Sequence, residues 1–376
     1  MAPDAGAACP IPAVTEQPAP APDIVAVARE KFHCPACGAE AHWNAAKQAL
    51  VCPFCGTTSP AVLQTRGAET VIVEHDLAAA LRSLPAEARG WLAEKVSARC
   101  QSCQAISVFD AAKVGRRCDF CGSAQLVPYE QVQDSIRPES LLPFKVSESQ
   151  ARDLIRRWYG RQWLTPNALK SKALTDTAKG IYLPYWTFDA HADATWTAEA
   201  GEYYYTREGG KQVQRVRWRP ASGAISHDFD DDLVAASLGV DAGLLRAVEP
   251  FPTADALIPY DPGYLSGWTV ERYQIDLVGA ATRSRQQMEE ALERLCAAEV
   301  PGDTHRSLSV QARFADQRFK HILVPVWLLT YTFRATSYQV VVNGVTGQIA
   351  GHHPWSWVKI TLLVIVVLLL LYLFNS

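Results

Sequence analysis

Hydrophobic and polar positions alternate along this chain in three distinct ways, and the plainest is a continuous run. From Ile360 to Phe374 every residue except Thr361 and Tyr372 is strongly apolar. At ~1.5 Å of rise per helical residue, Trp355 to Phe374 spans roughly 30 Å, about one hydrocarbon core. Trp355 and Trp357 fall where an interfacial aromatic belt belongs, and Lys359 is expected to snorkel toward the headgroups. Residues 355–374 therefore read as a single-pass transmembrane tail anchor. Lys359, His352 and His353 on the large side favour a cytoplasmic location for the bulk of the chain, at the inner membrane.

The second pattern is helical. Ser147-Glu-Ser-Gln150 reads as a capping box, and the helix after it places Ala151, Leu154, Ile155, Trp158 and Tyr159 on one face. Ser284-Arg-Gln-Gln287 reads as a second capping box before Met288, Ala291, Leu292, Leu295 and Cys296. The third pattern is extended: Leu141–Val146 and Ile181–Phe188 flank the first helix, Tyr273–Val278 and Ile322–Leu329 the second. The offsets are 137 at the capping serines and 141 at Pro184 and Pro325. They predict a duplicated strand–helix–strand unit over 138–351, an α+β domain. The first copy is expected to carry a β-rich insertion. Its hairpin, Tyr203–Thr206 with Val213–Trp218, turns at Glu208-Gly-Gly-Lys211. A last hairpin turns at Asn343-Gly344. The many Trp and Tyr residues are expected to fill a sheet core rather than stack a ligand.

The ends and joints follow. Prolines at 3, 10, 12, 18, 20 and 22 make residues 1–30 a disordered arm, with neither the early positive charge nor the apolar run of a signal peptide. Residues 61–97 read as a connector: Val71–Leu81 runs from a strand or turn into a short helix with Leu77, Leu81 and Leu84 on one side, and Trp91 and Leu92 pack a further turn. His75 there is expected to cap or pack.

The cysteines change the picture most. Eight of the ten form four Cys-x-x-Cys pairs: Cys34/Cys37, Cys52/Cys55, Cys100/Cys103 and Cys118/Cys121. Fourteen residues separate the pairs in each half, and the halves match at an offset of 66, including Cys52-Pro-Phe-Cys55-Gly56 against Cys118-Asp-Phe-Cys121-Gly122. This is a four-cysteine metal pattern repeated, and it predicts two zinc ribbons, at 31–60 and 98–130, each holding one structural zinc ion. Disulfides are unexpected on a cytoplasmic face, and redox chemistry would not need the second pair at fixed distance. His33 and His42 are alternative donors, but four thiolates already complete a tetrahedron. Cys9 and Cys296 read as plain thiols. Gly38, Gly56 and Gly122 follow a knuckle where the chain turns back, and Gln104 in the same place is expected to distort one turn.

Charge excludes a strongly basic nucleic-acid binder: the net charge is −3, with a pI near 6.3. The first ribbon sets Lys31 and Lys47 against Glu40, and the second sets Arg99, Lys113, Arg116 and Arg117 against Asp110 and Asp119. That footprint favours protein partners over nucleic acid, which stays open as the alternative. Arg152, Arg156, Arg157, Arg161, Lys170, Lys172 and Lys179 form a basic stretch able to face lipid headgroups or an acidic partner. His227–Asp232 reads as an acidic helix start. No phosphate loop, His-Glu-x-x-His or Gly-x-Ser-x-Gly occurs. His191 and Asp189 are scattered candidates, so no enzyme and no small-molecule substrate is expected, with a ligand sensor in the α+β domain as a third possibility.

The tandem Cys-Pro-x-Cys-Gly knuckles, Leu141-Leu-Pro-Phe-Lys-Val-Ser147, Leu183-Pro-Tyr-Trp-Thr-Phe-Asp189 and Val342-Asn-Gly-Val-Thr-Gly347 before an apolar end resemble one family. It comprises the bacterial membrane-anchored double zinc-ribbon proteins labelled "primosomal protein N′ (replication factor Y), superfamily II helicase-like". The resemblance covers nearly all of the chain after residue 30. No motor motif accompanies it. It implies zinc on the eight paired cysteines. It also implies an adaptor role beside band-7/SPFH scaffolds and phage-shock-type proteins in membrane stress.

Overall fold

The computed structural model describes residues 34, 36–58, 72–82, 95–110, 117–129, 136–166, 177–334 and 336–375. The N-terminal arm with Cys9, Lys31 and His33, the connector positions Leu84, Trp91 and Leu92, and Lys113, Arg116, Lys170 and Lys172 lie outside the described residues.

The chain is mixed α+β, as its patterning predicts. Two long strands, β8 (Lys179–Glu208) and β12 (Thr304–Phe333), run antiparallel through the centre of a large sheet. Residues 181–188 and 319–329 are buried without interruption, because both faces of the sheet are covered there. Short strands β7 (Ser140–Leu141) and β11 (Thr269–Glu271) add in parallel to β12 and β8 respectively. Helix α2 (Glu148–Arg161) follows β7, and α5 (Leu277–Glu299) follows β11. Hairpin strands β9 (Lys211–Ala235) and β13 (Thr336–Asn343) then return beside β8 and β12, and β14 (Ile349–Gly351) pairs with β13.

The duplicated unit is therefore strand–helix–strand–strand, and the two copies exchange their short strands. Leu183 pairs with Val324, its own equivalent at the 141-residue offset, so a pseudo-twofold axis passes between them. The hydrogen bonds repeat about that axis. Trp186 Nε1 donates to Ile275 O at 2.9 Å, and Trp327 Nε1 donates to Val146 O at 3.0 Å. Ala236 N donates to Pro184 O, and Gly344 N donates to Pro325 O. Each proline stands where the outer edge of a long strand passes from the short parallel strand to the hairpin strand, so its missing N–H leaves no ladder bond broken.

This register corrects the second copy. Ser147 caps α2 with its capping box intact, Gln150 N at 3.4 Å from the hydroxyl and Ser147 N at 2.9 Å from Gln150 Oε1. Its counterpart is Asp276, whose carboxylate accepts from Gly279 N at 2.8 Å. Ser284 lies two turns inside α5, buried and donating to Asp232 Oδ2 at 2.6 Å. Tyr273–Val278 is thus not a strand, and of the first expected strand, Leu141–Val146, only Leu141 joins a ladder, with Ser140 before it. The expected insertion is the lengthened β8–β9 hairpin, which turns at Gly209 and Gly210 with φ of 59° and 80°. His227–Asp232 lies within β9 and starts no helix.

Period-two alternation sorts the core. Tyr182, Leu323 and Trp327 face α2 with Ile155 and Tyr159, while Trp186, Phe188 and Phe319 face α5 with Met288 and Leu277. Beyond them, Ala192, Ala194 and Trp196 receive Leu292 and Cys296, so Cys296 is a packed thiol. The alternate positions, Ile181, Leu183, Tyr185, Val324 and Val326, cover α3 (Ala242–Val248) through Leu244, Leu245 and Val248. β3 (His75–Asp76) joins the edge of β12, and α1 (Leu77–Arg82) buries Leu77 and leaves Leu81 half-exposed. His75 packs as expected: its Nε2 meets Glu139 at 3.0 Å and its ring lies on Phe319.

The apolar end is α6 (Trp357–Asn375), and the segment Trp357–Phe374 has a mean hydropathy of 2.7 with none of it buried. It is the one helix among the described residues long and apolar enough to cross a membrane. Its base is fixed to the body. Ser356 N donates to Leu164 O at 2.8 Å, and Lys359 Nζ donates to Trp163 O and Thr165 O at 2.9 and 2.8 Å. Lys359 thus pins α6 to the loop after α2.

Candidate metal centres

Each pair of cysteines sits on the same backbone device. In all four knuckles the first cysteine carbonyl accepts from the N–H four residues on: Gly38, Gly56, Gln104 and Gly122 to Cys34, Cys52, Cys100 and Cys118. The same cysteines donate N–H to Ala39, Thr57, Ala105 and Ser123. The turn needs positive φ, and the three glycines take 71°, 72° and 74°. Gln104 takes 64° and makes the same bonds, so the expected distortion is absent; its amide also donates to Gln101 O at 2.9 Å.

These knuckles bring the sulfurs together in two groups, Cys34, Cys37, Cys52, Cys55 and Cys100, Cys103, Cys118, Cys121, all Sγ atoms of a group within 4.8 Å. The closest approaches are 3.4 Å for Cys34–Cys55, 3.5 Å for Cys37–Cys52, 3.5 Å for Cys100–Cys121 and 3.6 Å for Cys103–Cys118. A disulfide needs about 2.05 Å. The edge of a tetrahedron with metal–sulfur bonds of ~2.3 Å is about 3.8 Å, so the spacing fits a closed four-thiolate site. Crowding also separates the thiols electrically. Thr57 and neighbouring donors lower Cys55 to about 6, whereas Cys37 is raised to about 12 within the same group. In the second group the bond from Cys103 lowers Cys118 to about 5 and Cys103 itself is raised. Each group is able to hold a metal ion, and His42 belongs to neither.

The two sites differ in what surrounds them. The first is closed by a hairpin, β1 (His42–Asn44) with β2 (Ala49–Val51), as its spacing predicts. That hairpin rests on the main body through Trp43 against Tyr264, Ser266 Oγ to Ala41 O at 2.9 Å, and Gln48 Nε2 to Phe144 O at 2.8 Å. The second is woven into the sheet. β5 (Ile106–Asp110) pairs with β11, and β4 (Lys95–Cys100) lies between β5 and β6 (Leu126–Pro128). Its knuckle residue Phe120 is fully buried, and Thr330 Oγ1 donates to the Phe120 carbonyl at 2.6 Å. Asp119 is ion-paired with Lys179 and accepts from Thr269 Oγ1 at 2.8 Å. Phe54, which matches Phe120 at the 66-residue offset, is 81% exposed. The sequence carries no sign of that difference.

The remaining candidates scatter. Arg152 pairs with Glu148 and Arg156 with Asp153, and Arg157 Nε donates to Asp153 O, so the expected basic face of α2 is largely answered within its own helix. Arg161 closes that helix. His191 does not meet Asp189: its Nδ1 lies 2.5 Å from Asp228 Oδ1, while Asp189 accepts from Asp231 N at 2.7 Å. Asp189, Asp230 and Asp231 bring carboxylate oxygens within 4.8 Å of one another. The Lys320 ammonium lies against that cluster, 2.9 Å from Asp231 and 3.0 Å from Glu74, and offsets part of its charge. Arg99 lies over the Tyr129 ring at 4.3 Å, which ties down a cation of the second ribbon.

No protein-family model matches the chain, and no solved structure matches it. A curated relative is the uncharacterized protein YdjG of Bacillus subtilis (strain 168), 23% identical over 234 residues, which cover 61% of this chain and 68% of YdjG. The chain is thus similar to YdjG across much of both proteins, with two four-cysteine groups and one apolar helix as its own defining features.

Proposed function

We propose that the protein is a membrane-anchored adaptor: α6 holds it in the inner membrane with its folded body in the cytoplasm, two structural zinc ions pin its ribbons, and the first ribbon docks a protein partner. Four thiolates with no open ligand position suit a zinc ion that stabilises rather than reacts. The role needs no catalytic step. The observation that carries it is the contrast between Phe54, 81% exposed, and Phe120, fully buried. The same knuckle residue is received by this chain's own core in one ribbon and left on the surface in the other. An aromatic held by a metal-pinned turn loses little entropy on binding and so makes a good anchor for a protein interface. The resemblance to membrane adaptors found beside SPFH/band-7 and phage-shock-type proteins suggests partners of that kind, in membrane stress. The nucleic-acid reading lacks support here, since Asp119 and Tyr129 already engage Lys179 and Arg99.

A photo-reactive phenylalanine placed at 54 in native membranes is expected to capture one discrete protein, and Phe54→Ser is expected to abolish co-purification of that protein. Equal capture from a probe at Arg313, on exposed β12, would contradict a dedicated docking site.

A further inference from the structure

A cavity of about 770 Å³ opens where the body meets α6, between the β12–β13 turn and the neck Gly351–Trp355. That volume is typical of small-molecule sites. Arg334, Tyr338, His352, His353, Trp355 and Trp357 line it together with uncharged residues, and no aspartate or glutamate is among its lining residues. Arg334 sits at the turn with φ of 49°, its guanidinium 5.6 Å from the Phe333 ring. The wall is rigid. His352 N donates to Gln339 O at 2.9 Å, Tyr331 OH donates to His352 O at 3.4 Å, and His353 Nδ1 lies 3.3 Å from Thr165 Oγ1 with its ring against Trp158 and Trp355.

Position decides what such a cavity would take. Ile360, one of its lining residues, begins the apolar run of α6, so a bilayer spanned by α6 brings the cavity to the depth of the headgroups. Trp163, Trp355 and Trp357 are 58%, 58% and 71% exposed around the base of α6, an aromatic collar of the kind that settles at a bilayer interface. Trp163 joins it from the loop after α2, which Lys359 ties to α6. A cationic, carboxylate-free cavity at that depth meets lipid phosphates before any other anion.

We infer that this cavity is a binding site for the headgroup of an anionic phospholipid, with Arg334 contacting the phosphate and Tyr338 and Trp355 walling the glycerol moiety. The site rests on α6 spanning a membrane, and it fixes how deeply the body sits on the bilayer, independently of what Phe54 binds.

The test uses full-length protein in phosphatidylcholine vesicles carrying spin-labelled phosphatidylglycerol or spin-labelled phosphatidylcholine. Wild type is expected to prefer phosphatidylglycerol by about fivefold, the effect of one cation close to an anionic headgroup. Arg334→Gln is expected to bring that preference close to one, while Arg313→Gln, on β12 far along the strand from the β12–β13 turn, leaves it unchanged. An Arg334→Gln protein with the wild-type preference would overturn the assignment. So would displacement of the bound lipid by millimolar inorganic phosphate, which would mark a general anion site. Protein that fails to sediment with the vesicles at all would instead remove the membrane span, and the lipid site with it.

Discussion

Gln104 holds a backbone conformation that glycine holds in the other three knuckles. A side chain in the left-handed region costs about 1–2 kcal/mol, and glycine returns part of that gain through its greater freedom when unfolded. Gln104→Gly is therefore expected to raise stability by about 1 kcal/mol, read as a shift in the denaturant midpoint without loss of metal. His321 shows the opposite economy, a titratable ring with no route to water. It is 2% exposed, its ring centroid lies 4.8 Å from that of Trp186 and 5.3 Å from that of Tyr273, and Nδ1 meets Ile136 O at 3.0 Å. Burial pulls its pKa from 6.5 down to about 4. As pH falls below about 6.5 the unfolded chain takes up a proton that the folded chain refuses until about pH 4, so stability drops across that window, by up to about 3 kcal/mol from this group. His321→Gln keeps a donor for Ile136 and removes the titration. Melting temperatures at several pH values should show a shallower acid slope for the variant than for wild type, and parallel slopes would exclude His321 as the cause.

Among the elements, the two strand–helix–strand–strand units repeat in detail, and the tryptophans are their common part. Trp186 and Trp327 each fill a core between sheet and helix and satisfy the carbonyl just before a helix cap. Phenylalanine at either site leaves that carbonyl without its donor and a small void beside it. Each single substitution is expected to cost about 2–3 kcal/mol, and the two costs should agree within about 1 kcal/mol. Chemical denaturation of the two variants side by side checks this, and strongly unequal costs would contradict the twofold relation. The Pro-x-Trp strands were legible because continuous burial on both faces demands an unbroken apolar run. The start of α5 was not. Ser284 and Gln287 mimic a capping box, yet both residue types are tolerated inside helices, while the true cap at Asp276 precedes Leu277-Val278-Gly279, whose apolar pair also continues the alternation of Tyr273–Val278 and so reads as the end of a strand. The acidic run His227–Asp232 misled for a related reason. Its charges suit a helix N-terminus as well as the solvent side of a strand, and only pairing with β8 decides between them.

Across the whole molecule the two four-cysteine centres are chemically alike and mechanically different. The cysteines that gather in each group were legible in full, because four thiols at that spacing have few other uses. How each ribbon attaches was hidden, because β5 pairs with β11 some 160 residues later and nothing near Cys118 encodes that partner. The second centre is continuous with the central sheet, whereas the first touches the body through one hairpin. Loss of the second should therefore unfold far more than loss of the first. Metal analysis of full-length protein extracted from membranes, with circular dichroism on the same samples, tests this most directly. Two zinc ions per chain are expected for wild type. Cys52→Ser with Cys55→Ser should keep one ion and a native melting curve, whereas Cys118→Ser with Cys121→Ser should lose cooperative unfolding. A wild-type chain with fewer than one ion, or an intact fold after loss of the second centre, would contradict a scaffold built on two metal-pinned ribbons.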